Sequence, residues 1–369
     1  MSHIKWSASY PTPSSKPFEV THLEEWYQAW AQLPIASIQA SNYNSTGVNL
    51  PPAADPFLFA ALPHCRHLTS LSFHHCLCPS AVFEFAASST HLVDLRVSGY
   101  FWKTILTATN LTHATKWLTS APVQRICFRN FYVDPTVPHS VRNKFFTALF
   151  GCPTLIFFEG YALDIPEFEL LPDTVMYMHT LRFIYCTIPP AAFQSMARAL
   201  RQSTKVNMVC LLKLNEKEPD GIDFAAIFDS AWVEFLDAVG HSGVKELKVM
   251  NCCLGDSHWL QLGPILQKTK LQKLTLYDNG ITDKGAAFIA QAIQSNDSLS
   301  EVILTKNRLT FDGVIALVIA STQRHVAALT ELCVSLQYDS DRHVLRNFDE
   351  AKMAELCETA RERGMRLRL

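Results

Sequence analysis

The sequence predicts an α/β repeat solenoid, with short parallel strands along one side and helices and irregular turns along the other. Three observations predict it. An eleven-residue pattern recurs, with apolar residues at positions 1, 4, 6 and 11 and Asn or Cys at position 9. From Leu68 to Leu329 its copies are separated by nine intervals averaging 29 residues. Helical apolar spacing then follows the cleanest copies, so each unit is a strand plus a helix that cannot bury its own apolar face without neighbours.

Taken in order, residues 1–17 form a flexible leader, rich in Ser and Pro and lacking the apolar core of a signal peptide. Residues 18–34 form a capping helix. Thr21 and Glu24 have capping-box spacing there, and Leu23, Trp26, Trp30 and Leu33 share one face that seals the first repeat. The solenoid spans 35–346, irregular to about 205 and regular from 244. Its clean copies are VKELKVMNCCL (Val244–Leu254), LQKLTLYDNGI (Leu271–Ile281) and LSEVILTKNRL (Leu299–Leu309). Weaker copies start at Leu68, Leu92, Val123 and Met178, and degenerate ones at Leu155, Val206 and Leu329. Positions 4 and 6 alternate as a half-buried strand requires. The position-9 side chain ends the strand, where an amide can satisfy turn backbone groups. In ITDKGAAFIAQAIQSNDSL, Ala286, Ile289, Ala290 and Ile293 share a helix face, with Thr282 or Asp283 as cap.

Seventeen of the 19 prolines precede residue 191, which predicts short helices and extended turns in the first half of a single solenoid, rather than two domains. The longest interval, Val206 to Val244, holds NEKEPDGID (215–223), a protruding loop. Residues 347–369 form a terminal cap: a helix around Asp349–Arg363, Gly364 as its stop, and a last strand in MRLRL.

The strand-plus-helix period and the segment GAAFIAQAI resemble the leucine-rich repeat family, in its ribonuclease-inhibitor-like subclass. The resemblance is strongest over 244–309. It implies a horseshoe with strands on the concave side, a protein or peptide ligand, and no common catalytic residues.

Composition and motifs exclude much else. Forty-eight per cent hydrophobic and 18 per cent charged residues are too apolar for a disordered chain. A net charge of -2 gives no global field for nucleic acid or an anionic membrane. The longest apolar run, Val314–Ala320, is far short of a membrane span. Eleven scattered cysteines suit reduced thiols in the cytoplasm, and sequons at Asn44, Asn110 and Asn296 read as chance matches without a signal peptide. HHCLC (74–78) has the residue types of a zinc site, but the repeat frame already explains Cys76 at position 9 and Cys78 as the apolar position 11. No nucleotide-binding, hydrolase or metalloprotease motif occurs, so no cofactor, metal or catalytic residue is expected. The expected function is a non-catalytic interaction scaffold. The alternative is a regulatory component of an enzyme system, either a ubiquitin-ligase substrate-recognition subunit or a GTPase-activator-like repeat protein.

Alternation turns positions 5 and 7 outward on the concave face. The candidate partner-binding residues are therefore Arg96, Arg129, Glu159, Tyr161, Arg182, Lys248 and Tyr277, chiefly residue types that make binding hot spots. Arg96, Arg129 and Arg182 are expected to form a positive strip, and Ile184, Leu212, Met250 and Ile303 to add apolar surface.

Overall fold

The computed structural model describes residues 2–5, 28–29, 31–41, 59–76, 78–99, 104–214, 224–326, 328–338 and 350–369. The strand–helix solenoid is present, but the chain divides into two compact units, 1–178 and 179–369. In the first unit, strands β1 (Ser2–Lys5), β2 (Ile35–Ser41), β3 (Ser70–Cys76), β4 (Asp94–Gly99), β6 (Arg125–Arg129) and β8 (Phe157–Tyr161) pair in parallel, each with the next. Helices α1 (Pro79–Ser88), α2 (Ala108–Ser120) and α3 (His139–Phe150) connect them. A second parallel pair joins β5 (Thr104–Leu106) to β7 (Phe131–Val133).

The second unit repeats the layout more regularly. Its parallel strands are β9 (Thr180–Ile184), β10 (Met208–Leu212), β11 (Glu246–Met250), β12 (Lys273–Thr275), β13 (Glu301–Ile303), β14 (Glu331–Cys333) and β15 (Arg366–Arg368). Between them run α4 (Pro190–Arg201), α5 (Phe224–His241), α6 (Asp256–Leu266), α7 (Asp283–Ser295), α8 (Phe311–Thr322) and α9 (Glu350–Glu362).

The repeat frame decides what is buried. Every apolar side chain at positions 4 and 6, from Leu71 and Phe73 to Leu332 and Val334, is at most 3% exposed. On α7 the face predicted from sequence, Ala286, Ile289, Ala290 and Ile293, is buried. Position 9 works as the amide chemistry requires. Asn307 is fully buried; its Nδ2 donates to the carbonyls of Leu276 (2.6 Å) and Leu304 (2.9 Å). Its Oδ1 accepts from the amides of Asn279 (3.0 Å) and Ile281 (3.1 Å). Asn279 does the same one repeat earlier and Gln337 one repeat later.

A second ladder ties the helix starts together. Thr282 and Thr310 cap α7 and α8. Asp256 accepts from the Thr282 amide (2.9 Å), the Thr282 hydroxyl and the Gly285 amide; Asp283 accepts from the amide and hydroxyl of Thr310. Glycine is required at Gly285 and Gly313 because an added Cβ would collide with the Asp256 or Asp283 carboxylate.

Position 8 holds the least expected backbone feature. Asn130, Ala162, Tyr185, Lys213, Asn251, Asp278, Lys306 and Leu336 all have φ between 50° and 60°, the left-handed region that disfavours side chains. In six of these repeats the position-8 amide donates to the position-7 carbonyl of the next repeat, as from Lys306 to Ser335 (3.1 Å). That bond rewards the strained turn.

Several expectations are corrected. Ser2–Lys5 is a strand paired with β2 rather than part of a flexible leader. Most of the expected capping helix lies outside the described residues, and Leu33, placed on its buried face, is 51% exposed beyond the helical turn. The prolines do not shorten helices α1, α2 and α3, which have 10, 13 and 12 residues, because Pro79 stands in a first turn and Pro138 at an N-cap. Irregularity falls instead on 162–178, where Pro166 and Pro172 interrupt the chain and no helix forms; the unit boundary follows directly. Cys78 is exposed at the N-cap of α1, not an apolar position-11 residue. Two sequon asparagines are structural: Asn110 completes the α2 capping box, and Asn296 is fully buried against backbone carbonyls. The 215–223 loop lies outside the described residues. At the C-terminus, Gly364 (φ 72°) follows α9, and β15 pairs with β14.

Candidate functional site

With positions 4 and 6 facing the helices, positions 3, 5 and 7 form the open strand face in each unit. In the first unit the register sets Asp94 beside Arg125 and then Phe157, Arg96 beside Cys127 and then Glu159, and Ser98 beside Arg129 and then Tyr161. Four predicted site residues are thus brought together. Arg96 donates through Nε (3.1 Å) and Nη2 (2.9 Å) to the Asp94 carboxylate, which raises the guanidinium pKa further. Arg125 Nε stands 4.0 Å from the same carboxylate, with its guanidinium 4.5 Å over the Phe157 ring. Arg129 Nη2 donates to Glu159 (2.7 Å), and its guanidinium carbon lies 5.5 Å over the Tyr161 ring.

Glu159 is not a surface contact. Its side chain is 6% exposed, whereas the arginines Arg96, Arg125 and Arg129 are 48, 41 and 46% exposed. Between them Cys127 forms a small buried floor. Burial, with a contribution from Glu159, pushes its thiol up to about 11.

In the second unit, Arg182 and Lys248 share a row with Cys210 between them, and the row continues through Thr275, Ile303 and Cys333. Lys248 pairs with Glu246 (2.9 Å), Lys273 with Glu301 (2.8 Å) and Arg368 with Glu331 (3.0 Å). Tyr277 is half-buried beneath Lys306, whose ammonium lies 5.0 Å over the ring and whose pKa is raised by a hydrogen bond with the Tyr277 side chain. Leu212, Met250 and Ile303 are half-buried and Ile184 buried, so the apolar surface is smaller than expected. Of the arginines expected to form a positive strip, Arg96 and Arg129 lie in the first unit, each on a carboxylate, and Arg182 lies in the second.

Asp94, Arg125 and Lys306 escaped the sequence reading. Asp94 and Arg125 occupy position 3, which the frame left out, although i and i+2 share a strand face. Lys306 occupies position 8, whose left-handed conformation nothing in a lysine announces. Among the described residues no group of three or more His, Cys, Asp or Glu could hold a metal, and no helix is long and apolar enough to cross a membrane.

A leucine-rich repeat family model matches residues 267–290, which hold β12 and the first part of α7. No curated protein matches the sequence. Among solved structures, the chain is similar to one in the yeast Rad7–Elc1 complex, at 14% identity and a TM-score of 0.40, over 91% of this chain and 76% of that one. It is also similar to a Bacteroides fragilis protein at 11% identity and a TM-score of 0.37, over 79% and 70%. The buried strand frame, the position-9 amide ladder and the family match over 267–290 together give this chain the leucine-rich repeat fold.

Proposed function

We propose that the chain is a non-catalytic protein-interaction module, of the ribonuclease-inhibitor-like subclass and cytoplasmic, that holds a protein or peptide partner on its open strand face. One observation carries this: β4, β6 and β8 in the first unit, and β9, β10 and β11 in the second, present positions 3, 5 and 7 in register, on a backbone fixed by the position-8 and position-9 ladders. Such a face offers many side chains in fixed positions, so little freedom is lost on binding. Arg96, Arg129, Tyr161, Arg182, Lys248 and Tyr277 are the contact residues, and Glu159 acts by positioning Arg129. The Asp–Thr–Gly ladder of α6, α7 and α8 supports the subclass.

The test is site-directed photo-crosslinking with a co-purified partner. Crosslinkers at Ser72 and Lys248, on the strand face, should capture it; those at Glu84 and Gln291, exposed on the helices, should not. Capture from the helix positions alone would refute the proposal.

A further inference from the structure

We infer that the open face of the first unit binds an acidic peptide, an extended segment with carboxylates at alternate residues laid across β4, β6 and β8. This rests on the strand face being the partner site and names the chemistry of the partner. Three arginines crown the face, each roughly half exposed, while their countercharges lie beneath: the Asp94 side chain is 17% exposed and that of Glu159 6%. What solvent meets is therefore guanidinium, although the pairs nearly cancel by count. The buried carboxylates and the Phe157 and Tyr161 rings fix the guanidinium planes and leave donor N–H groups for a second acceptor.

Spacing points to an extended chain. Arg96 is directly beside Cys127, and Arg125 and Arg129 stand two residues to either side of Cys127. With strands ~4.8 Å apart and ~3.3 Å of rise per residue, Arg96 lies ~8 Å from each of the other two at Cα level, and those two are ~13 Å apart. Same-side residues of an extended peptide repeat every ~6.6–6.8 Å, which long side chains bridge to that spacing. Nothing stands up between the three arginines, because Cys127 is small and buried and Ser98 is small. Guanidinium and carboxylate are matched in shape, which favours this ligand over a merely uncharged segment. Nucleic acid is disfavoured by the short reach of three cations on a chain of net charge -2.

The experiment is fluorescence anisotropy on the full chain with labelled twelve-residue peptides of alternating Glu and Ser, Gln and Ser, or Lys and Ser, and with a twelve-nucleotide thymidine oligomer. The Glu–Ser peptide should bind at least tenfold more tightly than the other three and weaken with added salt. Two paired substitutions, Asp94→Asn with Arg96→Gln and Arg129→Gln with Glu159→Gln, remove guanidiniums without stranding a carboxylate or changing net charge. Combined, they should weaken Glu–Ser binding at least tenfold, whereas removing the Lys273–Glu301 pair of the second unit, with Lys273→Gln and Glu301→Gln, should leave it unchanged. If the combined variant melts early, Arg125→Gln alone, which breaks no hydrogen bond to Asp94, should still weaken binding threefold or more. Equal affinity for Glu–Ser and Gln–Ser, equal or tighter binding of the oligomer, or no loss in the folded variants overturns the inference. Strand-face crosslinking that succeeds while Glu–Ser fails to bind sinks this inference alone. Crosslinking only from the helices sinks the underlying site.

Discussion

Replacing Asn307 by Ala tests the physics of the repeat most directly. The side chain is fully buried and makes four bonds of 2.6–3.1 Å, two as donor and two as acceptor, spanning two repeats. Truncation leaves the amides of Asn279 and Ile281 without their acceptor and the carbonyl of Leu276 without a donor, while the Leu304 carbonyl keeps its bond from Gln337 Nε2 (2.9 Å). Each hydrogen bond contributes about 1 kcal/mol net, and each buried group left unpaired costs about 1–3 kcal/mol. Carbonyls tolerate the loss better than amides, and a water entering the vacated space would recover part of it. The expected destabilisation is about 3 kcal/mol, within a range of about 2–5. For a unit of this size that lowers the thermal midpoint by about 6–12 °C.

Circular dichroism melts and urea titrations of wild type and Asn307→Ala measure it. Asn307→Asp is the sharper companion. It keeps both acceptor bonds, loses both donor bonds, and sets a buried carboxylate against the Leu276 and Leu304 carbonyls, so it should be at least as destabilising as Ala. A loss below about 0.5 kcal/mol in both variants, the size of an ordinary surface substitution, would refute the claim that position 9 holds the turns together.

Gly313→Ala places a methyl group against the Asp283 carboxylate and should cost about 1–3 kcal/mol as overpacking; a urea double-mutant cycle with Asp283→Ala should recover part of it, and strict additivity would show the two do not touch. Burial raises the thiols of Cys65 and Cys127 to about 11 from the usual 9. Below pH 9 both states are protonated and nothing is lost. Between pH 9 and 11 only the unfolded thiols ionise, so stability should fall by up to about 2–3 kcal/mol per thiol. A denaturant series in Cys65→Ala and Cys127→Ala should show shallower alkaline loss than wild type. At pH 8 a chromogenic disulfide should modify exposed Cys253 in the native protein but Cys65 and Cys127 only after unfolding; early modification of Cys127 would contradict its burial.

What was legible in the sequence follows from how locally each feature is encoded. Leu274 and Leu276, or Val302 and Leu304, announce a buried strand face by alternation alone, and Ala286 to Ile293 a helix face by period. Asn279 and Asn307 are readable because a buried amide at a strand end has few other uses. The left-handed position 8 was not, since Tyr185, Lys213 and Leu336 are types that avoid that conformation; inter-repeat hydrogen bonds impose it. Arg96–Asp94 could have been found, being two residues apart on one strand face. Arg129–Glu159 could not, because it joins position 7 of one repeat to position 5 of a degenerate one, a pairing visible only once the register is known.

The two units also solve one problem in two ways, which explains why the first looked irregular. Each strand exit leaves turn backbone groups that must be paired inside the fold. In the second unit, side-chain amides of Asn279, Asn307 and Gln337 pair them. In the first, Cys76 holds position 9 of one repeat, and two others carry Phe131 and Leu163, whose side chains can pair nothing and are buried as apolar filling. There the backbone itself supplies the bonds: the Thr104 amide donates to Asn130, Asp134 to Leu106 and Asp164 to Phe131, and β5 and β7 become a second parallel ladder. The missing asparagines of the first unit therefore mark a different hydrogen-bonding scheme rather than a decayed repeat. The scheme needs extended chain after the main strand before the helix begins. That requirement accounts for the 31- and 32-residue spacings that follow Leu92 and Val123, against 27 and 28 after Val244 and Leu271.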